Sequence, residues 1–355
     1  MIGPERGVET FLDLNDDILL MICRLADRYD HQCRTKREAR PSHHPRSMLV
    51  SLCSVCRQLR DVGTPILHSK AAILNTKRDS AGRPCPVNIA QILRSIEETA
   101  HFRNYCKSLR VDINCEQSSN LSDTLAGTVS RLPKLRQLEL SVSVPMREHI
   151  HGAFGYGNIS LVRIEKLSVN TEFARNMVIH DALQTLQVLD HSPNSLKTAN
   201  AIQTLLRRPF GNIRTLNVQA WWSPELVNQL LASLPQLTTL GTVSQYPVMT
   251  LLPLMSGFST LKMLATAGLH DLRTRYDPPD CGNAYFGPEG KELERRLAKV
   301  KAEVLQELSK QAFQSCRKLE TLWVRGDGKV VCERVDGEAA QNIRWVDVAM
   351  PDLFD

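Results

Sequence analysis

The hydrophobic positions of this chain follow one short pattern, apolar-x-x-Leu-x-apolar, which recurs between residues 106 and 324. Such alternation predicts a short strand with one buried face. A single strand of this kind cannot bury its apolar face, whereas stacked copies can, so the recurrence predicts a repeat architecture. The second leucine position of the pattern sets the register, and it is occupied by Leu109, Leu138, Leu167, Leu186, Leu216, Leu240, Leu264 and Leu322.

The spacing of these leucines matches the period of a known repeat class. Successive gaps are 29, 29, 19, 30, 24, 24 and 58 residues, and leucine-rich repeats run about 20–29 residues each. The last gap is twice 29, which predicts either an insertion or one degenerate repeat near the C-terminal end. An ordinary α/β domain with chance leucine spacing is the alternative.

Helical periodicity separates the predicted strands. Apolar residues recur at helical spacing over 87–102, 121–132 and 198–206, and Ser223-Pro224-Glu225 has the features that begin a helix. A turn-rich loop and a charged helix over 271–315 form the insertion. The predicted fold class is therefore α/β, in which residues 76–355 form a leucine-rich repeat solenoid, a horseshoe with parallel strands on its concave face.

Residues 1–75 lack the repeat and are predicted to form a separate, short helical module. Two amphipathic segments, 12–25 and 48–60, have the hydrophobic spacing of helices. Between them lies a basic segment, 28–46, that is rich in arginine and histidine. We expect this segment to be a mobile loop that the fold does not require, because it has little apolar surface to bury.

Charge and cysteine content narrow the class of protein. The net charge is +6. Nucleic-acid binding would be indicated by a basic face interleaved with aromatic residues, and the sequence predicts no such face. The ten cysteines are too sparse for a disulfide framework, which predicts reduced thiols and a cytoplasmic or nuclear protein. No apolar run reaches the roughly 20 residues of a membrane span, and no secretory leader is apparent. We therefore expect a soluble protein that binds neither nucleic acid nor membrane.

A search of the sequence for the motifs of common catalytic and metal sites does not predict an enzyme. Cys53-x-x-Cys56, with Cys33, His43 and His44 upstream, is a possible zinc set. Cys53 and Cys56, however, fall three residues apart within an apolar helical segment, where a position in the core is the better interpretation. No nucleophile elbow, phosphate-binding loop or zinc-protease motif is present. The sequence therefore predicts no catalytic residue, no cofactor and no metal.

The two amphipathic segments of residues 1–75 carry further motifs. Residues 14–22 read Leu-Asn-Asp-Asp-Ile-Leu-Leu-Met-Ile, and residues 52–60 read Leu-Cys-Ser-Val-Cys-Arg-Gln-Leu-Arg. The first resembles the F-box opening Leu-Pro-x-Glu-Ile-Leu-x-x-Ile, with Asn15 in place of proline, and the second resembles the closing F-box helix. The arrangement is similar to that of fungal F-box proteins with leucine-rich repeats.

This resemblance implies the substrate-recognition subunit of a Skp-cullin-F-box ubiquitin ligase. In that family the F-box binds a Skp-type adaptor, which is carried by a cullin–RING ligase, and the repeats bind the protein substrate. The subunit itself is not catalytic. The resemblance implies that the adaptor surface and the module core share eight apolar residues: Leu12, Leu14, Ile18, Leu19, Ile22, Leu52, Val55 and Leu59.

The face of the predicted sheet that points away from the leucines is the candidate surface for the protein substrate. Its residues are polar and weakly charged, with an aromatic residue at the far end, which suits protein recognition. Two alternatives to the ligase role are a leucine-rich repeat scaffold without one, and an enzyme or nucleic-acid binder without a recognisable motif. For the adjacent Trp221 and Trp222, packing at the rim of the repeats is the alternative to substrate binding. The candidate substrate-binding residues are Arg110, Glu139, Asn217, Trp221, Trp222 and Trp323.

Overall fold

A computed structural model defines the architecture, and it divides the chain into two compact units. The first comprises Met1–Val111 and Asn120–Arg136, and the second comprises Asp112–Ser119 and Gln137–Asp355. The structure describes residues 15–37, 47–74, 89–113, 120–142, 146, 149–150, 152–154, 161–170, 181–189, 212–218, 222–242, 248–269, 272, 276, 286–325, 328–333 and 342–346.

Three helices at the start of the first unit share one small core. They are α1 (Asp16–Arg37), α2 (Met48–Val55) and α3 (Arg57–Leu67). Each supplies side chains at helical spacing, and half-buried residues of α2 and α3 pack around them. The buried members of this core are Leu19, Cys23, Ala26, Leu49, Cys53 and Leu59.

The second amphipathic segment is not the single helix that its hydrophobic spacing predicts. The chain is extended at Cys56, with φ −149° and ψ 167°, so α2 ends and α3 begins there. The Cys56 Sγ accepts a hydrogen bond from the backbone N–H of Leu59 at 3.4 Å and so caps α3. A cysteine in this capping role turns the chain between two helices that pack on each other.

The prediction that residues 28–46 form a loop is wrong over 28–37, because α1 continues to Arg37. Within this stretch Asp30 contacts the start of α2. Its carboxylate accepts hydrogen bonds from Ser47 Oγ at 2.5 Å and from the backbone N–H groups of Met48 and Leu49 at 3.0 and 3.2 Å. Asp30 therefore joins α1 to the first turn of α2. Residues 38–46 lie outside the described residues.

The rest of the first unit combines a parallel strand pair with helices. Strand β1 (Lys70–Ile73) pairs with residues 108–111 of β2 (Ser108–Ile113), whose last two residues are assigned to the second unit. The helix predicted over 87–102 is divided at Thr99 into α4 (Ile89–Glu98) and α5 (Ala100–Tyr105). Helix α6 (Leu121–Ser130) contacts α4, and an ion pair between Glu97 and Arg131 joins their ends.

An aromatic cluster follows α3 in the first unit. His68 stacks on His101 with ring centroids 5.6 Å apart and meets Phe102 edge to face at 4.5 Å. His101 stacks in turn on Tyr105 at 6.4 Å, and Lys134 Nζ lies 5.2 Å from the centre of the Tyr105 ring. Burial and then the neighbouring His101 hold the pKa of His68 below its usual value. The cluster therefore favours the neutral form of His68.

Parallel strands that pair in chain order form the second unit. Strands β3 to β9 each pair with the next, and β10 and β11 then continue the sheet in antiparallel pairing. Their bounds are β3 (Gln137–Val142), β4 (Lys166–Asn170), β5 (Thr185–Leu189), β6 (Thr215–Val218), β7 (Thr239–Thr242), β8 (Met263–Thr266), β9 (Thr321–Val324), β10 (Gly328–Glu333) and β11 (Asn342–Val346).

The leucines that set the repeat register are direct lateral partners in this sheet. They run from Leu138 to Leu322, one on each of β3 to β9, and none is more than 3% exposed. Because strand side chains alternate between faces, a shift of one residue would have exposed the whole row. The predicted register and the α/β class are therefore confirmed. The row consists of Leu138, Leu167, Leu186, Leu216, Leu240, Leu264 and Leu322.

Two helices of the second unit follow predicted signals, and a third was not predicted. Helix α7 (Pro224–Ser233) begins after Ser223, whose Oγ accepts a hydrogen bond from the Leu226 N–H at 3.2 Å. It is followed by α8 (Val248–Met255) and α9 (Gly287–Ser315). The segment 198–206 lies outside the described residues. None of the helices in the described ranges is both long and apolar enough to cross a membrane.

Candidate functional site

Helix α1 has two apolar faces, of which only one is buried. Leu19, Cys23 and Ala26 point into the three-helix core. A second apolar stripe, with exposed members Ile18, Met21, Leu25 and Tyr29, follows the same helical spacing. At about 100° per residue, the two stripes lie roughly 120° apart around the helix. The second stripe is therefore too far around α1 to share the core.

Helix α2 repeats this arrangement. Leu49 and Cys53 are buried, four residues apart, whereas Met48 and Val55 are exposed on a different face with the half-buried Leu52 between them. Val55 is 68% exposed, more than any other residue of this group. The helical apolar surface is defined here as the exposed large apolar residues of α1 and α2: Ile18, Met21, Leu25, Tyr29, Met48, Val50 and Val55.

The eight apolar residues given by the F-box resemblance divide between core and surface. Leu19 and Leu59 are buried in the core. Ile18 and Val55 belong to the helical apolar surface, and Ile22 and Leu52 are half-buried. Leu12 and Leu14 lie outside the described residues.

Sequence reasoning missed most of the helical apolar surface. Met21, Leu25, Tyr29, Met48 and Val50 were not among the predicted contacts, although each is at least 40% exposed. Their signal is present in the sequence as a second run of apolar residues at helical spacing, offset from the first. A helix with two such runs is typical of a helix that packs on two partners.

The core beneath this surface is tightly packed around Gly63 of α3. A Cβ atom added there would lie 2.4 Å from Cys53 Sγ and 3.4 Å from Cys23 Sγ. Burial raises the pKa of both thiols, so they stay protonated and packed as small apolar groups. Cys53 is thus a core residue and Cys56 a helix cap, whereas the side chains of Cys33, His43 and His44 lie outside the described residues.

An open groove of about 580 Å³ lies beside the start of α1 and α3. Its two carboxylates are both engaged: Asp16 Oδ1 accepts a hydrogen bond from Gln58 Nε2 at 3.0 Å, and Asp61 pairs with Arg57 at 3.8 Å. These contacts orient polar side chains at one end of the helices. The groove is lined by Asp16, Cys56, Arg57, Gln58, Asp61 and Val62.

The second candidate surface is the face of the β3–β9 sheet that points away from the leucine row. In β3, Leu138 and Leu140 are buried and Glu139 between them is half-buried on the opposite face. The register places one residue of each later strand beside it. This mid-strand row consists of Glu139, Ser168, Gln187, Asn217, Gly241, Ala265 and Trp323.

The mid-strand row is more buried than the sequence predicts. Ala265 has no exposed surface and Trp323 is 4% exposed, so the prediction that Trp323 is an exposed anchor is wrong. Alternation identifies which face of the sheet a residue lies on, but not what else covers that face. Asn217 is 9% exposed and Glu139 is half-buried.

The other predicted substrate-binding residues have mixed environments. Arg110 is exposed on β2 in the first unit. Trp222 is buried at the start of α7, which agrees with packing rather than with an exposed anchor. Trp221 lies outside the described residues. Within the second unit, Asn217 is therefore the predicted residue whose chemistry is best defined.

Comparison with known protein families finds no family model that matches this chain. A search of curated proteins also finds none that matches it.

Proposed function

We propose that this chain is the substrate-recognition subunit of a Skp-cullin-F-box ubiquitin ligase. The helices α1 to α3 act as the F-box and bind a Skp-type adaptor. The parallel strands of the second unit act as a leucine-rich repeat solenoid and bind the target protein. The chain itself contributes binding and no bond-making chemistry.

The observation that carries this proposal is the helical apolar surface. Its seven residues are each at least 40% exposed, and they lie within about 40 residues of chain. Isolated exposed apolar residues are ordinary, but four of these seven form one stripe along α1, and Met48 and Val55 share one face of α2, which favours a protein partner. The motifs of residues 14–22 and 52–60, which resemble an F-box, support a Skp-type adaptor as that partner.

The packing of the helices supports a preformed docking surface. Asp30 links α1 to α2, and the close approach at Gly63 brings α3 against both cysteines of the core. A surface held in place before binding loses little conformational entropy when the partner arrives. This favours binding by the module in its folded form.

Adaptor capture tests the proposal directly. The purified full chain is mixed with a purified Skp-type adaptor, and the dissociation constant is measured for the wild type and for Val55→Arg and Ile18→Arg. A charge placed in a buried apolar contact weakens binding by at least tenfold. Because both side chains are exposed in the free chain, the variants should keep the wild-type fold.

Val162→Arg is the matched control, since Val162 is a similarly exposed valine in the second unit. It should bind the adaptor as the wild type does. Failure of the wild-type chain to bind the adaptor would overturn the ligase role. Wild-type affinity in both arginine variants would overturn the helical apolar surface as the adaptor site.

A further inference from the structure

The segments that lead into the first three strands carry a concentrated positive charge. Residues 67–70, 100–108 and 131–137 precede and begin β1, β2 and β3, and they contain six Lys or Arg side chains and no Asp or Glu. The whole chain has 44 Lys and Arg against 38 Asp and Glu, so the remainder has 38 against 38. The net charge of +6 is therefore the charge of these segments. Their cations are Lys70, Arg103, Lys107, Arg131, Lys134 and Arg136.

Backbone hydrogen bonds bring these segments side by side within the first unit. The N–H of Lys107 donates to the Ser69 carbonyl at 2.7 Å, and the N–H of Arg136 donates to the Lys107 carbonyl at 2.8 Å. Lys70 follows Ser69 and is the lateral partner of Ser108. One row therefore joins three segments that are separate in the sequence. The basic edge is defined as Lys70, Lys107, Lys134 and Arg136.

The basic edge presents its charge to solvent. Lys70, Lys107 and Lys134 are exposed, and Arg136 is half-buried beside Lys107. Lys134 Nζ lies 5.2 Å from the centre of the Tyr105 ring, which orients this ammonium group. Cations gathered in one place repel one another and raise the local concentration of anions. The surface therefore suits a partner that brings several negative charges at once.

Two sets of contacts distinguish between classes of anionic partner. The rings of His68, His101 and Tyr105 stack on one another, so faces that would accept bases are already engaged, which disfavours single-stranded nucleic acid. Arg136 Nη1 donates to the Leu135 carbonyl at 3.4 Å. The other members of the edge are lysines, which bind as point charges and lack the bidentate fork that an arginine offers to phosphate. Carboxylates on neighbouring side chains are the better complement.

We propose that the basic edge binds an acidic segment of the target protein, a stretch of chain rich in Asp and Glu. A single exposed ion pair contributes little, so the affinity requires several carboxylates to meet several cations together. This inference rests on the proposed function, which supplies a target protein, and it assigns part of target binding to the first unit.

Defined peptides test this partner. A fluorescent peptide of about ten residues carries Asp or Glu at most positions, and a neutral peptide carries Asn or Gln at the same positions. Their binding to the purified full chain is measured by fluorescence anisotropy. In about 0.1 M salt the acidic peptide should bind at least about tenfold more tightly, the sum of several exposed pairs. In about 1 M salt most of this difference should disappear, because the screening length falls from about 10 Å to about 3 Å.

Charge reversal tests where the acidic peptide binds. Lys107→Glu combined with Lys134→Glu should abolish the preference for the acidic peptide. Lys107→Gln combined with Lys134→Gln should weaken it without introducing a repulsive charge. Arg317→Glu combined with Lys318→Glu is the matched control, because it reverses two exposed cations of the turn before β9 in the second unit. The control changes the net charge as much as the first variant does and should keep the preference.

Three results overturn the inference: equal binding of the acidic and neutral peptides, an unchanged preference in both lysine variants, or an equal loss in the control. Single-stranded RNA and a phosphoserine peptide of the same total charge are the competing partners. Tighter binding of either one than of the acidic peptide overturns the choice of carboxylates.

Adaptor capture by the same preparations separates this inference from the proposed function. A chain that prefers the acidic peptide but does not bind a Skp-type adaptor contradicts the ligase role alone. A chain that binds the adaptor without this preference contradicts the acidic-segment site alone.

Discussion

The two units treat apolar and polar side chains in opposite ways. Helices α1 and α2 leave seven large apolar residues at least 40% exposed, whereas the β3–β9 sheet buries its leucine row and also buries polar residues such as Ser168 and Asn217 on the other face. An exposed apolar surface gains free energy when a partner removes it from water. A buried polar row instead costs free energy wherever one of its groups lacks a hydrogen-bond partner, as Asn217 Oδ1 does among the described residues. The two units therefore leave different groups unsatisfied: apolar side chains at the surface of the helices, and a polar side chain within the sheet.

The largest expected effect falls on the leucine row. Leu216→Ala removes buried methyl groups from a position 2% exposed and should destabilise the second unit by roughly 2–5 kcal/mol. Tryptophan fluorescence in a urea titration is a selective measurement, because all four tryptophans belong to the second unit. Val162→Ala, at an exposed position, should change stability by less than about 0.5 kcal/mol. Equal destabilisation by the two variants would contradict the buried row.

The tight core under the helical apolar surface gives the next largest effect. Gly63→Ala places a Cβ against Cys53 Sγ and should destabilise α1 to α3 by about 1–3 kcal/mol. Hydrogen exchange of these helices is the measurement. Gly127→Ala is the matched control, because a Cβ at this helical position meets nothing within 4 Å; it should be neutral or stabilising by about 0.5–1 kcal/mol. Unchanged exchange in Gly63→Ala would show that the core is looser than the structure indicates.

The link between α1 and α2 should contribute less than the core. Asp30→Ala removes the acceptor that holds the first turn of α2 and should cost about 0.5–2 kcal/mol, seen as faster hydrogen exchange in α2. Asp30→Asn keeps one carbonyl acceptor and should lose less. Asp61→Ala, which removes only an exposed ion pair with Arg57, is the control. An alanine variant of Asp30 that exchanges like Asp61→Ala would refute the capping role.

The smallest expected effect is a pH dependence confined to the first unit. The pKa of His68 is lowered in the fold by burial and then by His101, so the unfolded chain binds a proton at a higher pH than the folded chain does. His68 therefore contributes its full stability above about pH 6.5, and this contribution declines as the pH falls from there through the lowered folded pKa. Hydrogen exchange of α3 and α5 between pH 7.5 and 5.5 measures the change.

His68→Phe tests the cause of this pH dependence. Phenylalanine keeps an aromatic ring against Phe102 and His101 but cannot take up a proton. The variant should therefore lose most of the decline between pH 6.5 and 5.5. A decline of wild-type size would assign the effect to other groups.

The leucine register was predictable because it rests on local alternation. Each strand repeats the apolar positions in phase, and a one-residue slip would expose all of them. The helix start at Ser223 was likewise visible in three adjacent residues. These features depend on the order of neighbouring residues, and the sequence contains that order.

The missed features depend on residues far apart in the chain. Cys56 separates two helices that pack on each other. Helix α1 continues to Arg37, and Asp30 within it accepts a hydrogen bond from Ser47, which lies beyond the end of that helix. Trp323 lies on the predicted face of its strand, but whether that face is covered is a property of the folded chain. For the candidate site, the resemblance supplied Ile18 and Val55, while their exposure became visible only once the core was assembled.

The contact of Asp30 with the start of α2 also determines how the chain tolerates a change of length. The hydrogen bond from Ser47 to Asp30 closes the chain between these two residues into a loop. A flexible peptide inserted between residues 38 and 46 would lengthen that loop, and the entropy cost of loop closure grows only logarithmically with length, so doubling the length costs about 0.6 kcal/mol. A peptide tag or fluorophore-binding sequence inserted there is therefore expected to leave α1 and α2 paired.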